Sequence, residues 1–259
     1  MNTMKISIAL HAPVISPDML NKLQSLGDIS IFDVYQLSEE EIMKMMPETE
    51  ILICGATGIK KIWKKVFDAL QNLKFIAIYG VGYDWVDISE TTKRGIIVSN
   101  NRGNNAEAVA EHTWGMILSL SKRISELERA TRETGEINVM KYQGVEVFGK
   151  TIGIIWLGEI GKRVARIAKG FNMKIIGTNK SGKKIEDIEI VDLLYLLEHS
   201  DIITVCVPLN KDTENLINKQ ELKLVKKNVI LVNASREKLV NKNAVLQSLS
   251  EKNLFGYGV

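Results

Sequence analysis

Cysteine, histidine and long apolar runs are all scarce in this sequence, and each scarcity removes a class of protein. Two cysteines, Cys54 and Cys206, cannot build a disulfide framework, and a metal site is not expected. Both stand in apolar, strand-like runs, ILIC and ITVC, which fits buried thiols in a reducing cytoplasm. No apolar stretch approaches the roughly 20 residues of a membrane span, and none reads as a secretory leader. An excess of one charge is missing too. Basic and acidic side chains, 34 against 31, are mixed along the chain and leave a net charge of +3, so nothing points to nucleic acid as a partner.

What is present is the composition of a globular protein, 45% hydrophobic and 25% charged, with room for a substantial core. A length of 259 residues exceeds the usual single domain, so two domains of about 100 to 150 residues are expected. The first hundred residues alternate strand and helix patterns. Residues 5–10, 29–34, 51–54, 75–78 and 96–98 read as strands. Residues 16–26 read as a helix with Ser16 as cap and Pro17 at its first position, and 38–46 as one opened by SEEE. Residues 60–70 read as a third, with the lysines of KKIWKK on a solvated face. Such alternation implies a parallel sheet covered by helices on both faces, which binds ligands beyond the carboxyl ends of its strands.

The most informative stretch is GKTIGIIWLGEIGKRVARIAKGFNMKIIGTNK, from Gly149 to Lys180: strand, glycine turn, amphipathic helix, strand. A helix amino terminus offers unpaired N–H groups and the positive end of a dipole, which suit a pyrophosphate. The three glycine places of the GxGxxG fingerprint fall on 156, 158 and 161. Gly158 and Gly161 are present, whereas the first place is Trp156, a bulky residue that either strains the turn or takes up cofactor space. Glu159 would repel a pyrophosphate unless its carboxylate points into solvent. At the end of the second strand, where an acidic residue would bind a ribose 2′-hydroxyl, stand Thr178, Asn179, Lys180 and Ser181. That neutral and cationic cluster suits a 2′-phosphate, so NADP is expected ahead of NAD.

In YGVGYDWVDI, from Tyr79 to Ile88, Gly80 and Gly82 expose backbone N–H groups at a strand's carboxyl end, a setting able to hold a carboxylate. The polar segment SNNRGNN, Ser99 to Asn105, is the expected domain boundary, giving domains 1–100 and 101–259. From Asn105, with Asn104 as cap, one long helix is expected through AEAVAEHTWGMILSLSKRISELERATRE, part of it crossing to another subunit.

Taken in order, GVGYDWVD, NNRGNNAEAVAEH, GKTIGIIWLGEIGKRVA, SDIITVCVPLNKDTENLI and NVILVNASR resemble the D-isomer-specific 2-hydroxyacid dehydrogenase family, which includes glyoxylate, hydroxypyruvate and phosphoglycerate dehydrogenases. The resemblance covers nearly the whole chain. It implies an α/β fold of two doubly wound parallel-sheet domains, a flavodoxin-like substrate domain and a Rossmann nucleotide-binding domain, with the active-site cleft between them and homodimers formed through the second. It implies a small 2-keto or 2-hydroxy acid as substrate, its carboxylate held by the backbone at Val81 and Gly82. Arg236 would pair with the carboxylate and carbonyl. Gly158, Glu159, Ile160, Asn179, Lys180, Ser181, Val207, Pro208 and Ala234 would line the NAD or NADP site. Arginine suits its part because two parallel hydrogen bonds hold a carboxylate while the charge polarises the oxygen that hydride attack makes negative.

The family's catalytic histidine and the glutamate that tunes it lie beyond Phe255 to Val259, so a missing carboxyl-terminal segment is expected. Glu237 stands where the family usually has glycine, and Asn241 where it usually has aspartate. Of the three histidines, His199 precedes a strand at the wrong end of a sheet and His112 packs or caps locally. His11 follows the first strand, where a local structural role is the stronger reading. Three functions stay open: a nicotinamide-dependent 2-keto acid reductase, a truncated or degenerate paralogue that binds a nucleotide or partner without catalysis, and a structural oligomer built on the long helix.

Overall fold

The structure is a computed structural model that describes residues 3–11, 15–135, 140–180 and 182–259. The chain divides into two compact units, Met1–Asn104 and Asn105–Val259.

In the first unit β1 (Met4–Leu10), α1 (Pro17–Gln24), β2 (Gly27–Asp33), α2 (Glu39–Met45), β3 (Ile51–Cys54), α3 (Lys64–Ala69), β4 (Phe75–Ile78), α4 (Ile88–Lys93) and β5 (Ile97–Asn100) follow one another. Its strands form one parallel sheet in the order β2-β1-β3-β4-β5, the flavodoxin-like order. Caps set the helix starts. Ser38 accepts from the Glu41 N–H while the Glu41 carboxylate accepts from the Ser38 N–H at 2.8 Å, a reciprocal capping box. The buried faces of the sheet and helices meet in a core that includes Ile42, Leu52, Ile59, Ile62, Phe67 and Ile76. The expected helix over 60–70 starts only at Lys64. Ile62 is fully buried and bridges to Val86, so the first half of KKIWKK is extended chain fixed by an apolar anchor, not a solvated helix face.

The second unit contains α5 (Ala106–Ser121), α6 (Ile124–Thr134), β6 (Thr151–Ile155), α7 (Glu159–Gly170), β7 (Lys174–Gly177), β8 (Glu189–Ile190), α8 (Leu193–His199), β9 (Ile202–Val205), α9 (Glu221–Leu224), β10 (Val229–Asn233), a 3-10 turn at Glu237–Leu239, α10 (Lys242–Ser250) and β11 (Leu254–Gly258). The strands pair in parallel in the order β11-β10-β9-β6-β7-β8, which is Rossmann topology. One face packs on α5 and α7 through Trp114, Ile117, Val164 and Ala168. The other packs on α8 and α10 through Leu196, Leu197 and Val245. Each such fully buried aliphatic side chain contributes about 1.5–3 kcal/mol, so these two layers carry the unit.

The long helix expected from Asn105 is two helices. Arg123 breaks it with φ of 52°. The cause lies downstream: Val145 donates its N–H to the Ser121 carbonyl at 2.7 Å, occupying the acceptor that a continuing helix would need. Gly144 permits that approach, since a Cβ there would stand 2.3 Å from the same oxygen. Asn105, not Asn104, is the residue before α5, and its side chain makes no cap bond. Among the described residues no helix is long and apolar enough to cross a membrane.

Candidate functional site

The carboxyl edge of the second sheet gathers the ends of β10, β9, β6 and β7 side by side, and nearly all the expected cofactor residues follow those ends. Trp156 follows β6 with φ of 80°, a region that bulky side chains rarely adopt and that costs on the order of 1–3 kcal/mol unless the surroundings hold it. Two bonds do so: the Trp156 N–H donates to the Thr178 hydroxyl at 2.9 Å, and the Leu157 N–H donates to the Thr178 carbonyl at 2.8 Å. The turn is thereby tied to the end of β7.

Gly158 is the residue before α7, and a Cβ on it would stand 3.0 Å from the indole of Trp156. At Gly161 a Cβ would stand 2.4 Å from the Trp156 carbonyl oxygen, so the helix seats on the strand end only without a side chain. Among the described residues the N–H groups of Ile160 and Gly161 donate to no protein acceptor, and no side chain caps the helix. These donors, at the positive end of a twelve-residue helix, are suited to an anion.

The Glu159 carboxylate does not oppose this. It accepts from Arg163 Nη1 at 3.0 Å along the helix flank, half exposed to solvent, and Arg163 in turn donates from Nε to Glu107 of α5 at 2.9 Å. The hydrogen bond that Arg163 donates to Glu159 raises the guanidinium pKa above its ordinary value. Arg166 completes the cluster on Glu107 at 2.6 Å.

At the end of β7, Asn179 donates from Nδ2 to the Lys183 carbonyl at 2.8 Å, while its Oδ1 is buried and has no partner among the described residues. A buried acceptor without a donor is costly in a native protein and marks a place for one. Lys180 is exposed and makes no ion pair among the described residues. Ser181 lies outside the described residues. Beyond β9, Val207 is buried and Pro208 exposed, the Pro208 carbonyl accepting from the Thr213 hydroxyl at 2.8 Å.

Beyond β10 the NASR loop is shaped by Asn233, whose Nδ2 donates to the Arg236 carbonyl at 2.8 Å and whose Oδ1 accepts from the Ser235 N–H at 3.2 Å. Ser235 ties the loop to β9 through the Val205 carbonyl at 3.0 Å. Ala234 is half-buried, and the Arg236 side chain is exposed with Nη1 donating to the Ser235 carbonyl at 3.0 Å. Asn233 is the residue that sequence reasoning passed over: its place before two small residues and an arginine was the available signal. Burial raises the phenol pKa of Tyr257 on β11, against a hydrogen bond with Asn233.

In the first unit the loop after β4 turns at Gly80, with φ of 151°. Its carbonyls are spoken for: Gly80 accepts from the Asn101 N–H at 2.8 Å, Val81 from Asn100 Nδ2 at 2.7 Å and Gly82 from the Trp85 indole at 3.0 Å. The N–H groups of Val81 and Gly82 donate to no protein acceptor among the described residues. Both are half-buried, which leaves a pair of fixed donors at the strand end. His11 packs its edge on Tyr35 with Nδ1 3.6 Å from Asp33, and His199 holds the Tyr195 carbonyl at 2.8 Å, so both are engaged locally; His112 is exposed on α5.

Residues 114–259 match a family profile described as D-isomer specific 2-hydroxyacid dehydrogenase, NAD binding domain. A glyoxylate reductase of Thermofilum pendens is 40% identical over 203 residues, 75% of this chain and 59% of that protein. The chain thus spans about three fifths of the length of the glyoxylate reductases it matches. Among solved structures, an acyclic imino acid reductase in complex with NADPH and D-Arg superposes with a TM-score of 0.90 at 30% identity, over 98% of this chain and 81% of that one. An NAD-dependent formate dehydrogenase from Staphylococcus aureus in complex with NAD gives 0.84 at 27%, over 98% and 80%.

Proposed function

Because the chain belongs to the D-isomer specific 2-hydroxyacid dehydrogenase family, and its residues 114–259 are the family's NAD-binding domain, we propose that it serves NAD(P)-dependent hydride transfer to and from a small 2-keto or 2-hydroxy acid. The observation that carries this reading is the pair of N–H groups at Ile160 and Gly161, without a protein acceptor among the described residues, together with the orphaned acceptor of Asn179 after the neighbouring strand β7. Ile160 and Gly161 would hold the pyrophosphate by backbone N–H groups and the helix dipole, with Gly158 and Glu159 lining the turn. Asn179 Oδ1 would accept from a ribose hydroxyl. Exposed Lys180, with no carboxylate at the end of β7, favours a 2′-phosphate and hence NADPH over NADH. Val207, Pro208 and Ala234 would line the groove along the strand ends, with Ser181 as a further contact.

When bound, the nicotinamide supplies or takes up the hydride. The protein's own part is to fix the acid: Val81 and Gly82 donate N–H groups to its carboxylate, and Arg236 pairs with the carboxylate and polarises the carbonyl oxygen. On this reading residues 1–100 serve the substrate and 101–259 the cofactor, and the protein works as a homodimer in the cytoplasm. The test is oxidation of NADPH on addition of glyoxylate, hydroxypyruvate or pyruvate. Substrate-dependent oxidation is expected when the family's catalytic histidine is supplied with the chain to give the proton, with Arg236→Gln abolishing most of it at unchanged NADPH affinity. Lys180→Ala should weaken NADPH and leave NADH unaffected. An NADPH-loaded chain that takes up none of these acids would overturn the catalytic reading in favour of a binding paralogue.

A further inference from the structure

Trp156 is the point at which this chain departs from its own fingerprint, and the structure shows where the indole goes. A Cβ built on Gly158 would stand 3.0 Å from both Cδ1 and Nε1 of Trp156. The pyrrole edge of the ring therefore borders the space that the second glycine of the fingerprint leaves empty. That glycine is required because the backbone must approach the pyrophosphate there. Nε1 thus stands against Gly158, two residues before the first of the helix N–H groups that have no protein acceptor among the described residues. The indole N–H donates to no protein acceptor among the described residues, while the indoles of Trp85 and Trp114 each have one. The rest of the Trp156 ring is half-buried against the core face that holds Ile155, Leu196 and Val205, so its orientation is fixed by packing.

We propose that Trp156 is a dinucleotide-binding residue, its indole N–H donating to a pyrophosphate oxygen alongside the backbone N–H groups of Ile160 and Gly161. This rests on the nucleotide-site reading above and adds to it a side-chain donor where the fingerprint has none. It also accounts for a bulky residue at φ of 80°: strained backbone held in place by its surroundings concentrates at ligand clamps. The indole is neutral, so it adds a hydrogen bond without altering the charge of the turn, and Glu159 stays directed to Arg163.

The experiment compares NADPH binding to the wild-type chain, Trp156→Phe and Trp156→Gly by calorimetry, and follows the indole N–H resonances in protein labelled with 15N-tryptophan. The sequence has four tryptophans, and the resonance missing from Trp156→Phe identifies the one of interest. Trp156→Phe keeps an aromatic ring and loses only the donor. It should melt like the wild type and bind NADPH roughly tenfold more weakly or worse, the scale of a lost hydrogen bond to a charged group. In the wild type the Trp156 N–H resonance should move downfield on addition of NADPH. Equal affinity of Trp156→Phe and wild type, an unmoved Trp156 resonance in a saturated sample, or tighter binding by Trp156→Gly would overturn the proposal, the last showing the ring to be an obstacle. A folded wild-type chain that binds no dinucleotide would overturn the nucleotide-site reading and this inference with it, an outcome distinct from the other three.

Discussion

The main-chain N–H of Trp156 and the side-chain hydroxyl of Thr178 meet at 2.9 Å, joining the turn after the first strand of the nucleotide unit to the end of the second. Thr178 was conspicuous in the sequence as a neutral residue near the ribose position. In the structure its hydroxyl serves the turn instead.

Thr178→Val should therefore destabilise the second unit by about 1–3 kcal/mol, the cost of leaving a partly buried donor without an acceptor. Urea unfolding measures this. Thr178→Ser keeps the hydroxyl and should recover most of the loss. The valine variant should also bind NADPH more weakly, because the turn loses one of its two ties to β7.

Gly153 in β6 is a packing glycine. A Cβ there would stand 2.1 Å from Ser200 Oγ and 2.7 Å from Leu196 Cδ2, so Gly153→Ala should cost about 1–3 kcal/mol by overpacking. Combining it with Ser200→Ala removes the nearest atom, and the double variant should lose less than the sum of the single losses in a double-mutant cycle.

Neither thiol should be reactive in the folded protein. Burial pushes Cys206 up to about 11, partly opposed by its contact with Thr204, and pushes Cys54 higher still. With both side chains enclosed and protonated at pH near 8, alkylation should be slow in buffer and reach both cysteines only after denaturation. Rapid labelling of the native chain would show that one of the two cores opens.

The parallel sheet of the first unit was legible in the alternation of strand and helix patterns, whereas the strand orders of the two units were implied only by the family resemblance. The strand 51–54 and the strand 75–78 sit where the pattern put them. The break at Arg123 was not legible, because its cause is a carbonyl of Ser121 taken by Val145, a contact across a gap no periodicity reports. The same holds for Lys60–Trp63, where burial of Ile62 overrides a sequence pattern that satisfies a helix equally well. At the candidate site the glycines and the helix were readable from spacing. The harmlessness of Glu159 was not, since it depends on Arg163 one turn on and Glu107 in another helix. The direction of the Trp156 ring is likewise a property of the packed core and not of the motif.

The measurement that bears most directly on the whole account is a calorimetric titration of the purified 259-residue chain with NADPH and then NADH, because binding requires no choice of substrate. The account predicts micromolar binding, with NADPH ahead of NADH. A folded sample that takes up neither cofactor would contradict it, since the turn at Trp156 to Gly161 would then hold no phosphate.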